Sequence, residues 1–227
     1  MKLIASLLFS LIFALASAQS TASPTDKLGA WYMLDGTHEI ADKWSLKTGF
    51  HLRTFEVYDN LNLLFYYSGV NYKPNSKTTV TIGYCYLDID RTYAIAGESH
   101  LYENRPYGQI SYKHQILNLP ITHRLRLEHR FLNYNHDHNI LHRFRYRLGS
   151  NINLSERVFF YINEELFINT KDDIFTENRL GTGFGLVISK ANTIKIGYLN
   201  HEINRQNFNR VQIGIFINTD LRNKSQK

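Results

Sequence analysis

Two short stretches constrain this chain more than any others. Between Ile121 and Phe131, the residues Leu125, Leu127, His129 and Phe131 share one side of an extended backbone, and Arg124, Arg126, Glu128 and Arg130 share the other. Between His142 and Leu148, Phe144, Tyr146 and Leu148 oppose Arg143, Arg145 and Arg147. A period of two is the signature of a β-strand, because successive side chains leave opposite faces. Each strand therefore has one apolar face and one cationic face. A weaker form of the pattern recurs where Val80, Ile82, Tyr84 and Tyr86 oppose Thr79, Thr81, Gly83 and Cys85, and where Ile194, Ile196 and Tyr198 oppose Lys195 and Gly197.

Eleven such segments are legible, at 28–38, 43–56, 61–73, 78–88, 103–115, 121–134, 139–153, 157–170, 176–189, 193–202 and 207–218. Most reach the roughly 9–11 residues with which a tilted strand crosses a bilayer. Links that read as short turns alternate with longer or more polar loops, the longest at 89–102. Alternation alone does not distinguish a membrane barrel, apolar outward, from a soluble β-sandwich or lipocalin-like barrel, apolar inward. Three further features favour the membrane: an export signal, long and evenly spaced segments, and aromatics near segment ends (Trp31, Trp44, Tyr58, Tyr72, Tyr107 and Tyr134) that resemble interfacial girdles. The expected fold is an all-β, antiparallel transmembrane barrel of 10–12 strands with short periplasmic turns and longer outer loops. Bacterial single-chain barrels close with even numbers, so twelve strands are expected, with Asp35-Gly36 as a hairpin turn inside the first segment, and ten as the alternative.

The export signal occupies residues 1–18: Lys2, an apolar run from Leu3 to Leu15, and the small-residue site Ala16-Ser17-Ala18. Cleavage after Ala18 is expected, leaving a short polar segment at 19–27, the barrel at 28–218 and a polar tail at 219–227. No second apolar run is long enough for a spanning helix. The outer membrane is the expected location, with its lipid and the barrel-assembly machinery as partners. The formal charge of +6 belongs to no basic tail or helix, so nucleic acid is not an expected partner. The lone Cys85 excludes an intrachain disulfide and a Cys-based zinc cluster.

Seven motifs, in order, resemble one family. They are Gly29-Ala30-Trp31-Tyr32-Met33, Lys43-Trp44-Ser45-Leu46, the run from His123 to Phe131, the run from His142 to Leu148, Asn163-Glu164-Glu165-Leu166-Phe167-Ile168-Asn169, Glu177-Asn178-Arg179-Leu180 and Ile196-Gly197-Tyr198. Together they resemble the family catalogued as domain of unknown function 2490, over nearly the whole mature chain. The resemblance implies an outer-membrane barrel, mainly from Bacteroidetes, and implies no activity.

The chemistry-bearing residues are the inward charges: Arg124, Arg126, Glu128, Arg130, Arg143, Arg145, Arg147, Glu165 and Arg179, with Lys47, His51, Arg53 and Lys113 alongside. The hairpin geometry places Glu128 opposite Arg145 or Arg147. Each unpaired charge in a dry lumen costs several kcal/mol, so such a ladder must be paired, hydrated or bound to an anion. Three functions remain open: a plugged structural or binding barrel, a narrow anion-preferring channel that takes a small anionic solute, and a lipid- or lipopolysaccharide-modifying enzyme. The third needs a Ser/His/acid cluster. Ser99-His100 is adjacent in the long loop, whereas His129 and His142 fall on the lipid face, so the catalytic residues stay unassigned. His136-Asp137-His138 has metal-ligand chemistry but reads as a solvated loop, and no metal or cofactor is expected. Gly181, Gly183 and Gly185 precede no phosphate-binding helix and read as room in the lumen.

Overall fold

The computed structural model describes residues 25–94, 99–134, 137–171 and 174–222. The expected export signal at 1–18 and the tail residues 223–227 lie outside the described residues. The strands are β1 (Leu28–Ala41), β2 (Trp44–Thr54), β3 (Leu61–Tyr72), β4 (Thr78–Ile89), β5 (Leu101–Ile116), β6 (Leu119–Tyr134), β7 (Asp137–Asn153), β8 (Val158–Asn169), β9 (Phe175–Val187), β10 (Asn192–Ile203) and β11 (Gln206–Asp220).

These strands form a transmembrane β-barrel, each paired antiparallel with its sequence neighbour and the whole sheet closed by β1 against β11. The strand number, eleven, lies within the expected range and equals the number of segments legible in the sequence. β1 runs unbroken through Asp35-Gly36, so no hairpin turn splits it. An odd number of up-and-down strands leaves the first and last pointing the same way. The closing pair is accordingly parallel, from Leu28↔Asn209 to Glu39↔Asp220.

Closure decides which face is which. The apolar side chains point outward and stay accessible: Ile82 is 75% exposed, Ile196 58% and Leu127 46%. The charges point inward and are buried: Arg126 and Arg145 are below a tenth exposed, and Glu128 is fully enclosed. A soluble barrel or sandwich would have the reverse arrangement. The lumen is not uniformly polar, because β3, β4 and β5 line one wall with a packed cluster of Leu63, Phe65, Cys85, Leu87 and Tyr107. The aromatics expected at the interfaces divide accordingly. Trp44 and Tyr72 pair at the turn end, ring centroids 4.7 Å apart, whereas Trp31 and Tyr107 point inward and are buried.

One end of the barrel carries the links 42–43, 73–77, 117–118, 154–157 and 188–191; the other carries 55–60, 90–100, 135–136, 170–174 and 204–205. The 135–136 link is shorter than expected because Asp137 and His138 join β7. Leu117-Asn118 and Asn204-Arg205 are two-residue turns with all four φ positive, the geometry whose twist matches flanking antiparallel strands. Pro106 sits within β5, and the β5–β6 ladder lapses between Asn104↔Phe131 and Tyr107↔Glu128, as a residue without an N–H requires.

The outward placement of Leu127 gives a direct test. Leu127→Arg should destabilise the lipid-embedded barrel by roughly 2–4 kcal/mol in denaturant titrations from vesicles, whereas Glu156→Arg in a turn should change little. Equal stability of the two variants would show that Leu127 does not face hydrocarbon.

Candidate functional site, a charge network in the lumen

The Arg-rich β6 and β7 lie side by side, with Arg124↔Arg147, Arg126↔Arg145 and Glu128↔Arg143 directly opposed. Like charges facing each other across strands repel, so this wall depends on carboxylates reaching in. Glu128 supplies the first. Its Oε2 accepts from Arg143 Nε at 2.9 Å and Nη2 at 2.7 Å, and its Oε1 from Arg145 Nη1 at 2.6 Å. Arg126 Nη1 lies 3.5 Å from the same carboxylate and Arg105 Nη1 4.0 Å. The register partner of Glu128 is thus Arg143, instead of Arg145 or Arg147 as expected, and of those two Arg145 nonetheless reaches the same carboxylate.

From Glu128 the network runs both ways through bridging arginines. Arg145 Nε also donates to Glu165 Oε1 at 2.8 Å, which accepts Arg124 Nη2 at 2.5 Å. Arg143 Nη1 reaches Glu177 Oε2 at 3.1 Å, and Glu177 holds Arg179 and, at 2.7 Å, His201. On the other side, Glu103 accepts Arg105 Nε at 2.6 Å and Arg130 Nε at 2.7 Å. Carboxylates and guanidiniums therefore alternate from β5 to β9, and Glu177 carries the net on to the His201 ring of β10. Phe167 stands inside this net, wholly buried, with the guanidinium carbons of Arg145, Arg179 and Arg143 at 4.5, 4.6 and 4.9 Å from its ring centroid. An aromatic face attracts each cation without adding charge.

Of the nine charges singled out in the sequence, eight enter the network. Arg147 does not: among the described residues it has no hydrogen bond or ion pair, and it points into the lumen opposite Arg124. Sequence reading missed Glu103, Arg105, Glu177 and His201. Glu103 and Arg105 alternate inward at the start of the segment read at 103–115, but with Tyr107 next on the same face they form no cationic run like those of β6 and β7. Glu177 shares its parity with the inward Arg179, two residues on, and that was the signal that could have found it. Phe167 gave no polar signal at all. Arg53, by contrast, lies 3.7 Å above the Trp31 ring, and its buried Nε has no partner among the described residues. Lys113 stands exposed at the turn-end rim.

Away from the rims, the inward cations are Arg53, Arg105, Arg124, Arg126, Arg130, Arg143, Arg145, Arg147, Arg179, Arg210, Lys47 and Lys195. The inward carboxylates are Asp35, Glu103, Glu128, Glu165 and Glu177. Twelve against five leaves a cation surplus inside low-dielectric walls.

His51 lies inside the lumen, its Nε2 2.9 Å from Asp35 Oδ1, and the described histidines other than it and His201 divide between rim and lipid face. His129 and His142 face outward, their Nδ1 atoms 2.8 Å apart, and His123 Nδ1 meets Tyr146 Oη at 2.8 Å. At the loop end, His100 Nδ1 lies 2.6 Å from Asp88 Oδ1, and its Nε2 faces Asp90 Oδ2 at 3.8 Å. Both ring nitrogens are turned toward carboxylates, whereas a serine-activating histidine needs one directed at the nucleophile. His138 donates to or accepts from Asn133 Oδ1 at 2.7 Å, while His136 lies outside the described residues. Among the described residues no group of three or more His, Cys, Asp or Glu is placed to hold a metal ion.

The sequence pattern of the family described as "Protein of unknown function (DUF2490)" matches residues 28–212, from the start of β1 into β11. No functionally curated protein matches the chain. Among solved structures, one described as "NanC porin structure in rhombohedral crystal form" is similar at 14% identity, over 80% of this chain and 93% of that one, with a TM-score of 0.47. LpxR from Salmonella typhimurium is similar at 10% identity, over 77% and 83%, with a TM-score of 0.44.

Two outcomes follow from this geometry. Glu128→Gln leaves Arg143 and Arg145 without their shared charge and should destabilise the barrel by about 3–5 kcal/mol. Adding Arg143→Met should recover part of that loss, and a neutral Glu128→Gln would show that the network bears no load.

The second outcome concerns His100. Its hydrogen bond with Asp88 raises the ring's pKa above the ordinary 6.5. A value raised by folding means that the contact contributes fully below pH 6.5 and is lost as the pH rises through the folded-state value. The protection factors of the amides at residues 99–101, with base-catalysed intrinsic exchange divided out, should therefore be highest in mild acid and fall above neutrality. Asp88→Asn should remove this dependence. A pH-independent exchange difference between the two proteins would contradict it.

Proposed function

Since this chain belongs to the DUF2490 family, which carries no assigned activity, we propose from the lumen alone that it is a plugged outer-membrane barrel that holds a small anion rather than passing solutes freely. One observation carries the reading. Glu103, Glu128 and Phe167, which project into the lumen from three different strands, are each 0% exposed. In an open pore, lumen side chains are wetted by the channel. Here they seal against arginines bridging β5 to β9, while the apolar cluster of β3, β4 and β5 fills the facing wall. The cation surplus supports the choice of an anion as the partner. In this reading the chain is exported by residues 1–18, and the shorter links face the periplasm.

Planar-bilayer recording tests the plug. The wild-type barrel should show little or no steady conductance. Arg145→Ala combined with Phe167→Ala should open a path through the net, with reversal potentials in a KCl gradient showing preference for chloride. A wild-type barrel that conducts steadily as a wide pore would refute the closed lumen. A cation-selective opened variant would refute the anion preference.

A further inference from the structure

On the turn side of the plug, three cations approach one another from separate walls: Lys47 from β2, Arg147 from β7 and Lys195 from β10. Around the ring of eleven strands they stand five, three and three steps apart, so they converge rather than line one wall. Lys47 and Lys195 each lie within electrostatic reach of Arg147, and both lie within reach of Asp35. None of the three has an ion pair or hydrogen bond among the described residues. Asp35 faces both lysines, its Oδ1 accepting from His51 Nε2 at 2.9 Å and from the Tyr67 hydroxyl, and its single negative charge leaves the three cations in excess.

Two details bear on what this half of the lumen can receive. Arg147 opposes Arg124 across β6 and β7, and the Arg124 Nε is buried with no partner among the described residues. A buried donor without an acceptor costs free energy, and two facing guanidiniums repel; one anion between them relieves both. The second detail is the aromatic wall. A Cβ on Gly197 would lie 2.0 Å from the Tyr161 hydroxyl, so that ring lies flat over Gly183 and Gly197 instead of crossing the lumen. Lys195 is held against Phe216, Tyr161 and Phe159, at 4.7, 5.2 and 5.4 Å from their centroids. Lys47, Arg147 and Lys195 all remain half-buried, unlike the sealed carboxylates of the plug.

We propose that Lys47, Arg147 and Lys195, with the free Nε of Arg124, form a seat for a phosphate-class dianion entering from the turn end. The planar guanidinium of Arg147 suits paired oxygens, and the two lysines supply point charges from the other walls. A dianion also matches the charge better than a monocarboxylate, since Lys47, Arg147, Lys195 and Arg124 outnumber the two carboxylates that face them, Asp35 and Glu165. The seat rests on the reading of a closed lumen in one respect: the plug makes it a terminal site instead of a passage.

Calorimetric titration of the folded, detergent-solubilised barrel at constant ionic strength tests the seat, with inorganic phosphate, glucose 6-phosphate and acetate as probes. Phosphate should bind saturably, about tenfold or more tighter than acetate. Glucose 6-phosphate binding as well would assign the seat to phosphate monoesters, and phosphate alone to the free ion. Lys47→Gln and Lys195→Gln should each weaken binding about tenfold, the loss expected for one charged contact. Lys113→Gln at the rim should leave it unchanged. Absence of saturable binding by either phosphate probe would overturn the proposal, as would undiminished affinity in a folded Lys47→Gln/Lys195→Gln double variant. Phosphate binding to a barrel that conducts steadily would refute the plug and keep the seat. A closed barrel that ignores phosphate would refute the seat alone.

Discussion

The structure depends on carboxylates shared between arginines. A barrel that shows hydrocarbon to lipid on its outside must place its charged residues inside, where each lone charge is costly. Glu128 resolves this for the most cationic pair of strands by accepting from Arg143 and Arg145 at once. The arginines are themselves shared: Arg145 continues to Glu165 and Arg143 to Glu177. Because Arg presents several donors in a rigid plane, one residue can serve two carboxylates, which lysine does less well. Few carboxylates thereby organise many cations, and six consecutive strands are fastened through the lumen as well as through the sheet.

The remaining strands are held differently. β3, β4 and β5 pack an apolar cluster inward, and the seam between β1 and β11 carries its own fastenings. Parallel pairing is slightly weaker per residue than antiparallel. Side chains from both flanks reinforce it: Trp31 lies beneath Arg53 and Arg179 and meets the His201 ring edge-on at 5.6 Å, while His38 Nδ1 meets Thr219 Oγ1 at 2.7 Å. Beyond the strand ends, Arg222 reaches Asp42 at 3.3 Å. Trp31 thus joins the closing seam to the charge network, which accounts for an inward position where a lipid-interface role had been expected.

Much of the architecture was legible in the sequence because strand parity is a local property. The segments at 121–134 and 139–153 reveal both their extended state and their two faces without knowledge of any neighbour. Three things were not local. Which face is inside depends on closure, and alternation reads identically in either direction. The absence of a turn at Asp35-Gly36 depends on β1 pairing continuously with β2 and β11 on its two sides. The partners of Glu128 depend on register and on side-chain reach, so Arg145 was found for it but Arg105, from β5, was not. The sequence also hides Phe167, since an apolar residue on an inward face looks like a break in the polar pattern when it is the hub three arginines surround.

The lumen is asymmetric along its axis, and the asymmetry has a physical origin. All four network carboxylates, Glu103, Glu128, Glu165 and Glu177, belong to the arc from β5 to β9 and draw the arginines of that arc into a dry, closed net. Lys47 and Lys195 come from β2 and β10, outside that arc, and Arg147, directly across from Glu165 on β8, stands at the margin of the net with no ion pair among the described residues. Tyr161 leaves space beside them by lying against glycine instead of filling the interior. Paired charge therefore closes one half of the lumen, and unpaired positive charge lines the other. Low-dielectric walls limit the screening of such a cation surplus and so strengthen the positive field of that half of the lumen.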